Sequence, residues 1–298
     1  MQARWLLLVA GILVAACHPG TREARRLLAA CDAGDAQACN EAGRRLQAGE
    51  YVLRDLTRAA SLFEQACEGG TAEGCSRLGI LTQDGRGVTR DSARAAALFT
   101  QACDGGAMDG CVRLGVRVRV GGGLPRDPGR AADLFQRACS GGHKEGCARL
   151  GDLFVAGDGV TRDPVRAASL FQSACDSTTS FGCDGLGLLQ AAGEGVPRND
   201  SLATARFRQA CNDEVGSGCS HLGDRYMAGL GVPQDFGRAA SHYRYACDGR
   251  FGEACFKLAE LHRTGAGVWR DSSRVSSLTR RACEYGHQPA CPRPGGSP

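Results

Sequence analysis

From Cys75 onward the chain places apolar or small residues at Cys75, Leu78, Gly79 and Leu81 with polar side chains between them. That i, i+3, i+4, i+6 spacing predicts an amphipathic helix of about three turns, here called helix A. Gly85-Arg86-Gly87-Val88 ends it, because glycine tolerates the left-handed conformations of a helix cap and turn. Asp91 then has the character of an N-cap for a second helix, helix B. Where the segment recurs, the next residue is proline at Asp127-Pro128 and Asp163-Pro164, suited to the first helical position. The inner face of helix B reads Ala95, Ala96, Leu98, Phe99, Ala102 and Cys103, in which alanines permit close helix approach and the Leu-Phe pair fills the space beyond. Gly105 and Gly106 stop it.

This pattern returns every 36 residues, and a cysteine pair spaced C-x7-C returns with it. The first members are Cys31, Cys67, Cys103, Cys139, Cys175, Cys211, Cys247 and Cys283; the second are Cys39, Cys75, Cys111, Cys147, Cys183, Cys219, Cys255 and Cys291. Such phase-locking is an internal repeat, so the 298-residue length needs no single globular core. Sixteen paired cysteines also imply disulfides and an oxidising compartment. The seventeenth, Cys17, calls for its own explanation.

Arg4 and the apolar run Trp5 to Ala16 form an export leader, and Val14-Ala15-Ala16-Cys17 resembles a bacterial lipobox. The run is too short to span a bilayer as a stable helix. Residues 1–16 are therefore expected to be cleaved and Cys17 acylated, the alternative being an ordinary cleaved signal. The residue after Cys17 is His18, not the aspartate that in enteric-type bacteria favours inner-membrane retention. The resemblance thus implies lipid attachment to the envelope, at the outer membrane or its periplasmic face, by an anchor that does not span.

The consensus C-x-x-L-G-x-L-x3-G-x-G-V-x-R-D-x2-R-A-A-x-L-F-x2-A-C-x-x-G resembles a Sel1-like repeat, a helical-pair relative of the tetratricopeptide repeat, in its cysteine-rich bacterial Hcp form. The resemblance implies an all-α, right-handed superhelical solenoid of helix-turn-helix repeats, stapled by disulfides. Residues 17–22 form a lipid-anchored linker, 23–38 a capping half-repeat resembling a lone helix B, 39–290 seven repeats, and 291–298 a tail. Departures are local. Leu202 and Thr204 replace the Arg and second Ala of repeat five, Ser177-Thr178 replaces Gly-Gly, and Val275-Ser276 with Leu278-Thr279 replaces Ala-Ala and Leu-Phe in repeat seven. A degraded last repeat is what a terminal capping unit requires.

In an antiparallel helix pair the end of helix B lies near the start of helix A in its own repeat and in the next, so Cys67 has two geometric partners, Cys39 and Cys75. Pairing within a repeat strands Cys31 and Cys291, whereas the C-x7-C scheme uses all sixteen cysteines, and we adopt the latter.

Signatures of catalysis are not found. The recurring G-x-G follows no strand and precedes no Gly-Lys-Ser/Thr, so it reads as a helix terminator and not a phosphate loop. No S-x-x-K, S-D-N, K-T-G or G-x-S-x-G occurs. His18, His143, His221, His242, His262 and His287 show no metal-binding spacing, and there is no haem motif, so no metal or cofactor is expected. A formal charge of +4, or +3 without Arg4, is too small to argue for nucleic acid.

What remains is a surface. Offsets 3, 4, 7 and 10 from the first cysteine of helix A cluster toward the core, which turns offsets 2 and 5 away from it. Offset 2 carries Arg77, Arg113, Arg149, His221 and Lys257; offset 5 carries Ile80, Val116 and Leu188 among Arg44, Asp152, Asp224 and Glu260. By resemblance to tetratricopeptide solenoids this side lines a concave groove, suited to a protein or peptide partner or an anionic envelope polymer. The alternative is a solvated row paired with acidic neighbours. Arg58, Arg94, Arg130, Arg166, Arg238 and Arg274, three residues after the capping position, are expected to form ion pairs. Two functions follow: a non-catalytic envelope scaffold, or, as the resemblance to cysteine-rich relatives implies, a penicillin-binding protein with slow β-lactamase activity, for which no catalytic residue can be assigned.

Overall fold

The computed structural model describes residues 19–176 and 180–291. Cys17 with the leader before it, Ser177, Thr178 and the tail from 292 onward lie outside the described residues. Among the described residues there are fifteen α-helices, one short 3-10 turn and no strand. Helix α1 (Pro19–Asp32) precedes seven A and B pairs. These are α2 (Ala36–Ala48) with α3 (Leu56–Glu68), α4 (Ala72–Asp84) with α5 (Ser92–Asp104), α6 (Met108–Val120) with α7 (Pro128–Ser140), and α8 (Lys144–Ala156) with α9 (Pro164–Ala174). There follow α10 (Cys183–Ala192) with α11 (Asp200–Asn212), α12 (Gly216–Ala228) with α13 (Phe236–Asp248), and α14 (Gly252–Thr264) with α15 (Ser272–Glu284). The chain divides into two compact units, residues 1–146 and 147–298.

Each B helix starts where its capping side chain dictates. The Asp91 carboxylate accepts the backbone N–H of Arg94 at 2.9 Å, and Asp55, Asp127, Asp163 and Asp235 repeat the bond. Asn199 does the same for Leu202. A cap of this kind contributes about 1 kcal/mol. The A helices begin earlier than their apolar periodicity shows. α4 starts at Ala72, so Cys75 lies within its first turn, and the chain enters through Thr71 in an extended conformation. Ala72, Glu73 and Gly74 carry no apolar spacing that would reveal this turn.

Packing within a pair is ring against glycine. Phe99 is fully buried, and a Cβ placed on Gly79 would stand 2.7 Å from its ring. Burial of such a side chain contributes about 1.5–3 kcal/mol, and only a bare helix backbone leaves room for it. Gly115 with Phe135, Gly187 with Phe207 and Gly223 with Tyr243 repeat the fit. In repeat seven both sides change together, to Ala259 and Thr279, trading a ring for a methyl group.

Six bridges join the end of one B helix to the start of the next A helix, Cys31–Cys39, Cys67–Cys75, Cys103–Cys111, Cys175–Cys183, Cys211–Cys219 and Cys247–Cys255, and Cys283–Cys291 joins the end of α15 to the residue after the 3-10 turn. Cys139 and Cys147 are disulfide-bonded as well. The pairing is the C-x7-C scheme.

Successive repeats also interlock through the loop between A and B. Gly87 holds a left-handed φ of 75°, and its would-be Cβ lies 2.3 Å from the Leu56 carbonyl oxygen of the preceding repeat. The loop therefore seats directly on the first residue of the previous B helix. Gly195 on Pro164, Gly231 on Asp200 and Gly267 on Phe236 make the same seat.

Two of the local departures have structural consequences. In repeat four, α9 ends at Ala174, one residue short of Cys175, and α10 begins only at Cys183. In repeat seven, α15 buries only Leu278 and Ala282 and leaves Arg274, Ser276 and Ser277 exposed, as a capping helix does.

Candidate functional site

In the first unit, the outward side of α4 and α6 carries Arg77, Ile80, Arg113 and Val116, all half-buried. Arg113 donates from Nε to Asp109 Oδ2 at 2.9 Å, and the same oxygen accepts from Ser76 Oγ of the previous repeat at 2.7 Å. Burial opposes the Asp109 charge, but those two donors hold its carboxyl below the usual range. Arg44 on α2 is clamped by Glu41 and Glu50, at 2.9 Å each. Hydrogen bonds from Arg44, aided by Arg45, pull Glu41 down to about 2.

Arg77 differs. Its guanidinium lies 6.0 Å from the Phe63 ring centroid, and its Nε is buried with no hydrogen-bond partner. Glu73, one turn earlier, is exposed and makes no bond to it among the described residues. Ile80 packs on the cluster of Ala95, Phe99, Leu114 and Val118.

In the second unit the row is compensated across repeats. His221 Nδ1 lies 2.7 Å from Asp184 Oδ1 of the preceding A helix. Burial disfavours the imidazolium, but the Asp184 carboxylate outweighs it and holds His221 above an ordinary histidine. Lys257 Nζ meets Asp224 at 2.8 Å and Glu253 at 2.7 Å. Asp224 also accepts from Tyr243 Oη at 2.7 Å, and burial with that contact pushes the phenol far up. Tyr243 stands in the phenylalanine column of helix B, so its hydroxyl is the change that completes this network. Arg149 is half-buried and engaged too, while Leu188 is 45% exposed.

The row therefore consists mainly of cations held by acids on their own helix and on the helix one repeat back. Sequence reasoning assigned the cations but not Ser76, Asp109, Asp184, Glu253 or Tyr243. The acids four residues before Arg113 and Lys257 were the available signal. Of the arginines that follow the caps, Arg94 pairs with Glu64, Arg238 with Asp235 and Arg274 with Asp271. Arg166 lies 4.4 Å over the Phe154 ring, and Arg58 and Arg130 are exposed without an ion pair among the described residues. Among those residues no group of three or more His, Cys, Asp or Glu could hold a metal ion. No described helix is long and apolar enough to cross a membrane.

The family model of the Sel1 repeat matches residues 36–71, 72–106, 109–143, 144–178, 180–213, 216–250 and 252–274. No curated protein matches the sequence. The structure is similar to c5321, a protective antigen present in uropathogenic Escherichia coli strains displaying an SLR fold, at 28% identity and a TM-score of 0.68. That match covers 90% of this chain and 57% of the antigen's, so this chain spans little more than half of the antigen's length. It is also similar to a Sel1 repeat protein from Oxalobacter formigenes, at 18% identity and a TM-score of 0.72, covering 87% of this chain and 99% of the other. Helicobacter pylori cysteine rich protein B shares 25% identity over 42% of this chain and 90% of its own, with a TM-score of 0.36. Matched over most of its length and built of tandem helix pairs bridged at their junctions, the chain belongs to the Sel1 repeat family, a fold commonly used as a scaffold for protein interaction.

Proposed function

We propose that this protein is a non-catalytic scaffold of the cell envelope that holds a protein or peptide partner on the outward side of its A helices. Arg77 carries the reading. A half-buried guanidinium that makes no hydrogen bond or ion pair among the described residues keeps an uncompensated charge, and an incoming carboxylate that meets its outer N–H groups restores the balance. Its neighbours in the row already have acids, so Arg77 is the position with charge to offer in the first unit. An extended segment with an acidic side chain over Arg77, lying along Ile80 and Val116, fits these chemistries. Immobilised protein should retain its partner from an envelope extract of the native host, and Arg77→Ala should weaken retention about tenfold, more at low salt. Arg113→Ala should have a smaller effect, because Asp109 already occupies that guanidinium. Retention unchanged by Arg77→Ala, with helical circular dichroism intact, would leave the row as ordinary surface.

The scaffold is tethered through acylated Cys17 at the outer membrane or its periplasmic face, a reading supported by the lipobox-like Val14-Ala15-Ala16-Cys17 and by bridges that need an oxidising compartment. Metabolic labelling with a fatty-acid analogue should mark the wild type and spare Cys17→Ser, which should also leave the membrane fraction. Labelling that survives the substitution would remove the anchor from the proposal.

A further inference from the structure

Residues 64 and 94 occupy facing positions on adjacent B helices, where Glu64 and Arg94 form an ion pair. Carried along the repeat, the same two positions hold Thr100 and Arg130, then Gln136 and Arg166, then Gln172 and Leu202, then Arg208 and Arg238, and last Arg244 and Arg274. In the last two junctions the acid has become an arginine, which sets two guanidinia where an ion pair stood.

The first of these arginine pairs has a partner built into the chain. Arg238 donates to Tyr226 Oη at 3.4 Å and lies 5.6 Å over its ring. Hydrogen bonds from Arg238 and Arg208 hold that phenol below its ordinary range. The residue equivalent to Tyr226 one repeat later is His262, and its Nδ1 is turned to the Trp269 carbonyl at 2.9 Å. His262 lines the cleft beside the second pair, but its Nε2 makes no hydrogen bond to either arginine. Among the described residues Arg244 is exposed and makes no hydrogen bond or ion pair. Arg274 reaches only its own capping residue, Asp271, at 3.4 Å. That carboxylate already accepts the Arg274 backbone N–H and Ser273 Oγ.

Arg244 and Arg274 are the wall shared by two adjoining clefts of about 430 and 330 Å³. Arg270 and Asp271 line the larger one, with Trp269 at its rim, 92% exposed. Arg281 and Asp248 line the smaller and neutralise one another at 2.9 Å. The larger cleft thus sets three arginines against one aspartate and is left with two positive charges.

We infer that the Arg244–Arg274 cleft binds a phosphomonoester, with the ring to which the phosphate is attached resting on Trp269. A dianion matches the two uncompensated charges, where a carboxylate would leave one over, and guanidinia bind phosphate oxygens through paired N–H donors. The cleft is large enough for one sugar-sized group. It is independent of Arg77 and of the A-helix face.

The chain suggests its own controls. Arg244→Glu recreates the Glu64–Arg94 pairing and Arg244→Gln copies Gln172, so both should keep the helical signal. Calorimetric titration with a hexose 1-phosphate should show saturable binding that Arg244→Glu and Arg244→Gln weaken by about tenfold or more. Inorganic phosphate should compete. Trp269→Ala should weaken the hexose phosphate and leave inorganic phosphate unaffected. A hexuronate, with one negative charge, should bind more weakly, and equal binding would overturn the dianion assignment. Flotation with vesicles containing phosphatidate separates the sources: capture by vesicles alone places the phosphate on a lipid headgroup, and capture of the soluble sugar phosphate places it on a free ligand. Binding to neither, or binding indifferent to Arg244→Glu, overturns the site.

Discussion

Gly87→Ala is expected to destabilise the first unit by about 2–5 kcal/mol, the sum of a left-handed φ that L side chains resist and a forced contact with backbone. The new Cβ would meet the Leu56 carbonyl oxygen at 2.3 Å and Thr57 N at 2.7 Å. Both atoms belong to the first turn of a capped helix and cannot swing aside as a side chain end would. Gly70→Ala supplies the comparison, because Gly70 has a similar φ of 87° with nothing within 4 Å. It should cost only about 1–2 kcal/mol, from conformation alone. Urea denaturation followed by circular dichroism measures the difference. Equal losses in the two variants would mean that the loop does not lock one repeat onto the last.

Reduction of the bridges should have the largest effect of all. A nine-residue closed loop, as between Cys103 and Cys111, contributes about 2.5 kcal/mol in the chain-entropy model. Several such terms together exceed the roughly 5–15 kcal/mol by which folded domains are stable. The fully reduced protein is therefore expected to lose most of its helical signal at 37 °C, and the double variant Cys103→Ala, Cys111→Ala to lose about 2.5 kcal/mol. A reduced chain that keeps its helicity and its denaturation midpoint would show that helix packing suffices without the bridges.

The sequence states the helix pairs plainly because each signal is local. Asp91 caps three residues ahead, Phe99 repeats in register with Gly79, and the cysteines are eight residues apart. The first turn of each A helix was not legible, since Ala72-Glu73-Gly74 has no apolar rhythm and its helicity comes from packing on the B helix before it. The site was half legible. Periodicity gathered Arg77, Arg113, His221 and Lys257 into one row, but their state depends on residues more than thirty positions away: Asp109 on Ser76, Asp184 on His221, Asp224 on Lys257. Arg77 and Arg113 look alike in sequence, each with an acid four residues before it. The placement of Ser76 beside Asp109, and of the Phe63 ring beside Arg77 with no acceptor for its Nε, separates them.

The bridges also divide the loops of this protein into two kinds with different fates under proteolysis. A cut between Cys67 and Cys75, through the exposed Glu68-Gly69-Gly70, leaves both pieces covalently joined by the disulfide that spans it. A cut in the loop from Arg86 to Arg90 is spanned by no bridge, and only non-covalent packing then holds the halves together. Covalent integrity of the bridged array therefore rests on the A-to-B loops. Those are the loops whose glycines press onto the preceding helix, so the segment that a protease could use to divide the chain is also the one most firmly seated against it.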